Sequence, residues 1–221
     1  MKTPLPFAKI IAALVLGSLL LTAGCQSAYN LTMEKVFGYE KRELFKKSVT
    51  ALQGEQKDAQ KEFKDALTRL KELYAFKGGE LESMYEKVKS SYENCDTEAK
   101  AVHTRIANMN DIAGDMFKEW DKEILQYTNP NLAASSREQL RLTRDRYAQL
   151  SRTVRAAESS MQPVLAQFKD NVLFLKHNLN AAAIGSLQGE AGSIQTQVEQ
   201  LLTRMNASIA ESDSFIQTLP K

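Results

Sequence analysis

From Phe45 onward the apolar residues of this chain recur in alternating steps of four and three: Phe45, Val49, Leu52, Gln56, Ala59, Phe63, Ala66, Leu70, Leu73. Only Gln56 breaks the character of the series. A seam of this kind predicts an amphipathic helix that packs as in a coiled coil. It stops at Gly78-Gly79, a pair suited to a helix C-cap and a tight turn. A second seam runs through Leu81, Tyr85, Val88, Tyr92, Cys95, Ala99, Val102, Ile106, Met109, Ala113, Met116, Trp120, Glu123 and Tyr127. It predicts one helix from Glu80 to Tyr127, with Thr128-Asn129-Pro130-Asn131 ending it, because proline disfavours helix at the residue before it.

A third seam starts after Ser135-Ser136, which are candidate N-caps with Gln139 three residues beyond Ser136. It passes through Leu140, Thr143, Tyr147, Leu150, Val154, Ala157, Met161, Val164 and Phe168. The step of four that reaches Phe168 is followed by a second, to Val172, before a step of three reaches Leu175 and a step of four Leu179. Consecutive steps of four are a stutter, which unwinds a supercoil locally, and Pro163 just before it predicts a kink. Lys176-His177-Asn178-Leu179-Asn180 is the candidate third turn. The fourth seam begins near Ala181 and runs through Ile184, Leu187, Ala191, Ile194, Val198, Leu201 and Met205, then stutters to Ile209. No segment alternates as a strand would. The expected fold is all-α: four long antiparallel helices over residues 41–219, forming a coiled-coil-like bundle or a pair of helical hairpins.

The first forty residues follow another logic. Met1 to Lys9 is short and basic, and Ile10 to Ala23 is fourteen almost purely apolar residues. A transmembrane helix takes about twenty, whereas fourteen suits the core of a secretory signal. The run ends in Leu21-Thr22-Ala23-Gly24-Cys25, which resembles the lipobox of bacterial lipoproteins, although Thr22 stands where leucine is usual. That resemblance implies cleavage of residues 1–24, lipidation of Cys25 and a tether over residues 25–40. Gln26, in place of the aspartate that retains such proteins at the inner membrane, implies the periplasmic face of the outer membrane. An ordinary cleaved signal with an incidental cysteine is the alternative.

Charge excludes more than it suggests. Of 29 basic residues, Lys2 and Lys9 lie in the leader, which leaves 27 against 27 acids. A neutral mature chain has no global electrostatic reason to bind nucleic acid. No P-loop occurs, and Gly185, Gly189 and Gly192 follow a helix rather than a strand, where close packing or a frayed helix start accounts for them. His103 and His177 are the only histidines, with no ligand spacing for zinc around either. The expectation is therefore of no cofactor, no metal, no small-molecule substrate and no catalysis. Cys95 reads as a buried small hydrophobe or as one half of an intermolecular disulfide. Trp120 and the tyrosines 85, 92 and 127 read as core.

Two charged features remain. Six arginines from Arg137 to Arg155 face only Glu138 and Asp145 on their own segment. They either pair with acids of a neighbouring helix or dock on an anionic envelope surface, with Arg141 and Arg144 as candidate contacts. Lys176, His177 and Asn180 either cap the third turn or contact a partner.

The chain also resembles a family of bacterial helical lipoproteins of unknown function, from about Met33 to Ile216. The likeness is carried by Glu34-Lys35-Val36, Lys41-Arg42, Gln60 to Leu67, Glu119-Trp120 and Met161-Gln162-Pro163-Val164-Leu165. Leu173 to Ala181, Ile184 to Glu190 and Ser208-Ile209-Ala210-Glu211 add to it. The resemblance implies the helical fold and the lipobox, and it assigns no activity. The functional expectation is a lipid-anchored periplasmic coiled-coil scaffold or adaptor that self-associates or binds a protein partner; the alternative is an accessory subunit of an envelope enzyme or transporter.

Overall fold

A computed structural model describes residues 41–75 and 80–219 of the chain. Helix α1 spans Lys41–Tyr74 and α2 Leu81–Ile124, each without interruption. The third rod is split into α3, Pro130–Ser159, and α4, Met161–His177. The fourth is split into α5, Ala181–Gln188, and α6, Ala191–Thr218. Among the described residues there is no strand. The Gly78-Gly79 turn and residues 1–40, with Cys25, lie outside the described residues.

The seam of α1 is buried at all nine positions, Gln56 included. Along α2 it holds from Tyr85 to Met116, with Tyr92 half-buried, and then drifts. A straight helix turns 3.6 residues per turn, so a strict seven-residue repeat slides around its surface. Met116, Trp120 and Ile124 restore the contact by steps of four. Ile124 is therefore buried where Glu123 was the seam position, and Tyr127 is exposed rather than core.

Proline decides the next boundary. Helix α2 stops at Ile124, three residues short of the expected Tyr127, and Pro130 is instead the first residue of α3, where its missing N–H is not needed. The Asn129 side chain caps this start, accepting from the Asn131 and Leu132 backbone N–H groups at 2.9 and 3.4 Å. Ser135 and Ser136 are thus inside the helix and are not its cap; Ser136 Oγ instead accepts the Trp120 indole N–H at 2.9 Å. The expected kink at Pro163 is a break at Ser160, whose hydroxyl donates to the Ala157 carbonyl. Pro163 becomes the third residue of α4, a position with no intrahelical acceptor to lose. Asn180 caps α5 through Ala183 N–H, and the fourth rod breaks again at Gly189-Glu190.

Each rod packs on its sequence neighbours, and the fourth returns to the first: α2 lies along α1, α3 and α4 on α2, α6 on α3 and α4, and α5 and α6 on α1. That closed ring is a single antiparallel four-rod bundle rather than two stacked hairpins. One layer makes the closure visible. Phe45, Phe117, Tyr147 and Phe215, one from each rod, meet with ring centroids 5.4 to 6.4 Å apart, mostly edge to face. Such pairs contribute about 0.5–1.5 kcal/mol beyond the area they bury.

One side of the ring is polar inside. Gln53, Gln56 and Gln60 reach from α1 to α6, donating to Asp213 Oδ1, Ser208 Oγ and Asn206 Oδ1 at 2.7, 2.8 and 2.8 Å. Among the described residues Gln56 Oε1 finds no donor. A glutamine one heptad step out of place would lose its partner, so this ladder fixes the register of α6 on α1.

Candidate functional site

The bundle has two unlike ends. At one lie the start of α1, the α2–α3 turn and the end of α6; Lys41 Nζ pairs with Glu119 at 3.1 Å there. At the other lie the end of α1, the end of α4 and all of α5; Tyr74 donates to Asn171 Oδ1 at 2.7 Å, and Gln188 to the Tyr74 carbonyl at 2.6 Å. Burial first, and Glu190 second, push the Tyr74 phenol well above its ordinary range, so it stays a donor.

The third turn occupies the second end. Asn180 is engaged as the cap of α5. Lys176 and His177 are exposed in the last turn of α4, where positive charge complements the helix dipole. One turn earlier, Leu173 and Phe174 are exposed as well, 51% and 39%. Phe174 also borders a cleft of about 430 Å³ with Asp170, Leu187 and Glu190. This apolar pair lies off the seam, whose positions around it are Val172 and Leu175. An apolar residue off the seam was the available signal.

Four of the six arginines in the stripe are taken up locally. Arg141 donates to Glu138 and Asp145 on its own helix at 2.7 and 2.8 Å. Arg144 pairs with Asp121 of α2 and lies 5.4 Å from the Phe117 ring centroid. Arg152 donates to Gln149, and Arg146 to the Thr218 carbonyl at 3.4 Å. The structure does not bring Arg141 and Arg144 together with Lys176, His177 and Asn180, which lie toward the opposite end.

Cys95 is fully buried, and burial, reinforced by Glu62 and Asp65, pushes its thiol far up. A disulfide between copies would require the bundle to open. His103 is exposed and faces Glu158 of α3. Gly185 and Gly192 have open space where a Cβ would go, so close helix packing does not explain them; they flank the break between α5 and α6. Among the described residues, no cluster of three or more His, Cys, Asp or Glu side chains is placed to hold a metal ion. No helix there is long and apolar enough to cross a membrane.

At the first end a cleft of about 460 Å³ is lined by Lys41, Glu119, Trp120, Glu123, Tyr127 and Ser136, among others. Its outer wall continues into the α2–α3 turn.

Against known proteins, the family described as Protein of unknown function (DUF2959) matches residues 29–219. The chain belongs to that family. No curated protein and no solved structure matches it.

Proposed function

We propose that this protein is a lipid-anchored, non-enzymatic scaffold or adaptor of the bacterial envelope, held through Cys25 at the periplasmic face of the outer membrane. The observation that carries the reading is the polarity of the bundle. The chain enters it at one end, sixteen residues after Cys25, and an exposed apolar and basic group stands at the other. Helix α2, at 44 residues, is about 66 Å long. A tether at one end of such a rod holds the opposite surface clear of the membrane.

The accessory-subunit reading draws on Leu173 and Phe174 beside Lys176 and His177, an apolar anchor with adjacent charge of the kind protein interfaces use. Cross-linking the native protein in cells, with Lys176→Glu, His177→Ala as comparison, separates the two. A single stoichiometric partner lost in the variant establishes the accessory role. Self-adducts or abundant envelope components, unchanged in the variant, support the scaffold and retire the third turn as a contact. Arg141→Glu with Arg144→Glu completes the comparison: salt-sensitive binding abolished by this reversal would favour docking on an anionic surface. Their local pairing leads us to expect no change.

A further inference from the structure

We propose that the α2–α3 turn is a membrane-contacting tip, through which Leu125, Tyr127 and Leu132 enter the interface of the bilayer that holds the anchor. The inference rests on the lipid-anchor reading and adds a second, non-covalent contact to it.

Three observations converge on the turn. First, among the described residues at its end of the molecule, this turn holds the exposed large hydrophobic side chains. Leu125 is 80% exposed, Leu132 55% and Tyr127 47%, and all three lie within eight residues. Leu125 follows the last residue of α2 and Leu132 lies in the first turn of α3, so they flank the loop, with Tyr127 between them. Secondly, Ile124 to Ser136 is thirteen residues without an acid, lysine, arginine or histidine, in a chain that is 25% charged. Entry into an interface therefore desolvates no ion. Charge resumes at Glu123 on one side and Arg137 on the other. Exposed leucines with a tyrosine beside them have the composition of interfacial segments, where an aromatic ring sits at headgroup level.

The third observation is the level of the first described residue. Lys41 pairs through its ammonium with Glu119, and α2 continues five residues past Glu119 before the turn begins. The turn thus lies beyond the level of Lys41. The exposed pair Leu173 and Phe174 lies beside the end of α1, whose 34 residues span about 51 Å. The sixteen residues from Cys25 to Lys41 reach about 55 Å only when fully extended. A lipid on Cys25 therefore presents this end to the bilayer unless the tether is drawn straight along the whole rod. The turn is also preformed: the Asn129 cap holds the start of α3, and Trp120 is tied to Ser136 across the hairpin. Little ordering entropy opposes the contact. The occupant this chemistry fits is a lipid surface recognised without headgroup charge.

The test uses the lipidated full chain reconstituted in phosphatidylcholine or phosphatidylglycerol vesicles, with a single NBD fluorophore on Leu125→Cys or, at the far end, on Leu173→Cys. Both positions are exposed, and buried Cys95 is silent in the folded protein. We expect severalfold brightening with a blue shift at position 125, equal in the two lipids and unaffected by salt, and no change at 173. Vesicle flotation without brightening at 125 overturns the tip and leaves the anchor standing. Brightening at 173 alone, or equally at both positions, also overturns it. Brightening at 125 that fades as protein is diluted into excess lipid identifies a second copy as the occupant and overturns it. A parent protein that takes up label at Cys25 and fails to float overturns the anchor reading, and this inference with it.

Discussion

Single residues carry the register of this bundle. Gln56 and Ser208 form a buried pair in which one acceptor, Gln56 Oε1, is already left over. Ser208→Ala strands the amide N–H as well and should cost about 1–3 kcal/mol, whereas Gln56→Leu together with Ser208→Ala should be nearly neutral or stabilising. Urea unfolding of the two single variants and the double closes the cycle. A double variant as unstable as Ser208→Ala would mean that the pair contributes through packing alone. Tyr147 gives a second handle. Its hydroxyl donates to Asn110, and burial raises its pKa from 10.0 to about 12. The unfolded chain therefore releases this proton first, and stability falls as pH rises from about 10 towards 12. Tyr147→Phe should make that limb of a stability profile shallower, with buried Tyr74 and Cys95 contributing the remainder; an unchanged slope would assign alkaline sensitivity to those two groups.

At the scale of the element, the heptad seams made the rods legible and misplaced their ends. Periodicity reports which face of a helix is apolar, so α1 could be read residue by residue. It says little about a boundary, which depends on a few backbone groups. Pro130 could be read as a stop for α2, but its role as the first residue of α3 depends on Asn129 turning its side chain onto the new helix. Asn129→Ala should cost about 1 kcal/mol and Ser135→Ala almost nothing, as thermal denaturation will show. Equal losses would return the cap to the serine. The same limit applied to function. Leu125, Leu132, Leu173 and Phe174 lie off the seams, so a reading that collects seam positions passes them by. Lys176 and His177, expected in the third turn, are the last two residues of α4, and the turn itself begins at Asn178; Asn180 was legible as a cap because its type matches the chemistry of helix ends.

For the whole molecule, closure of four rods around one layer makes the ring cooperative. Phe45→Ala removes the member that touches Phe117, Tyr147 and Phe215 together, and should cost about 3–5 kcal/mol in a single unfolding transition. A second transition would reveal hairpins that unfold apart. Buried Cys95 reports on the same closure: thiol reagents should modify it in the native protein no faster than the rate of global opening. Fast labelling in the native state would mean that the ring breathes.

The rods also differ in continuity. Helices α1 and α2 run unbroken side by side, while the two returning rods are interrupted at Ser160 and at Gly189-Glu190. The first break faces Gln197 to Arg204 in the body of α6, and the second lies beside the end of α1. As a mechanical object the protein is therefore a beam with a spine along one flank and staggered joints along the other. The backbone hydrogen-bond ladder is thus continuous along the spine and interrupted on the other flank, at Ser160 and Gly189.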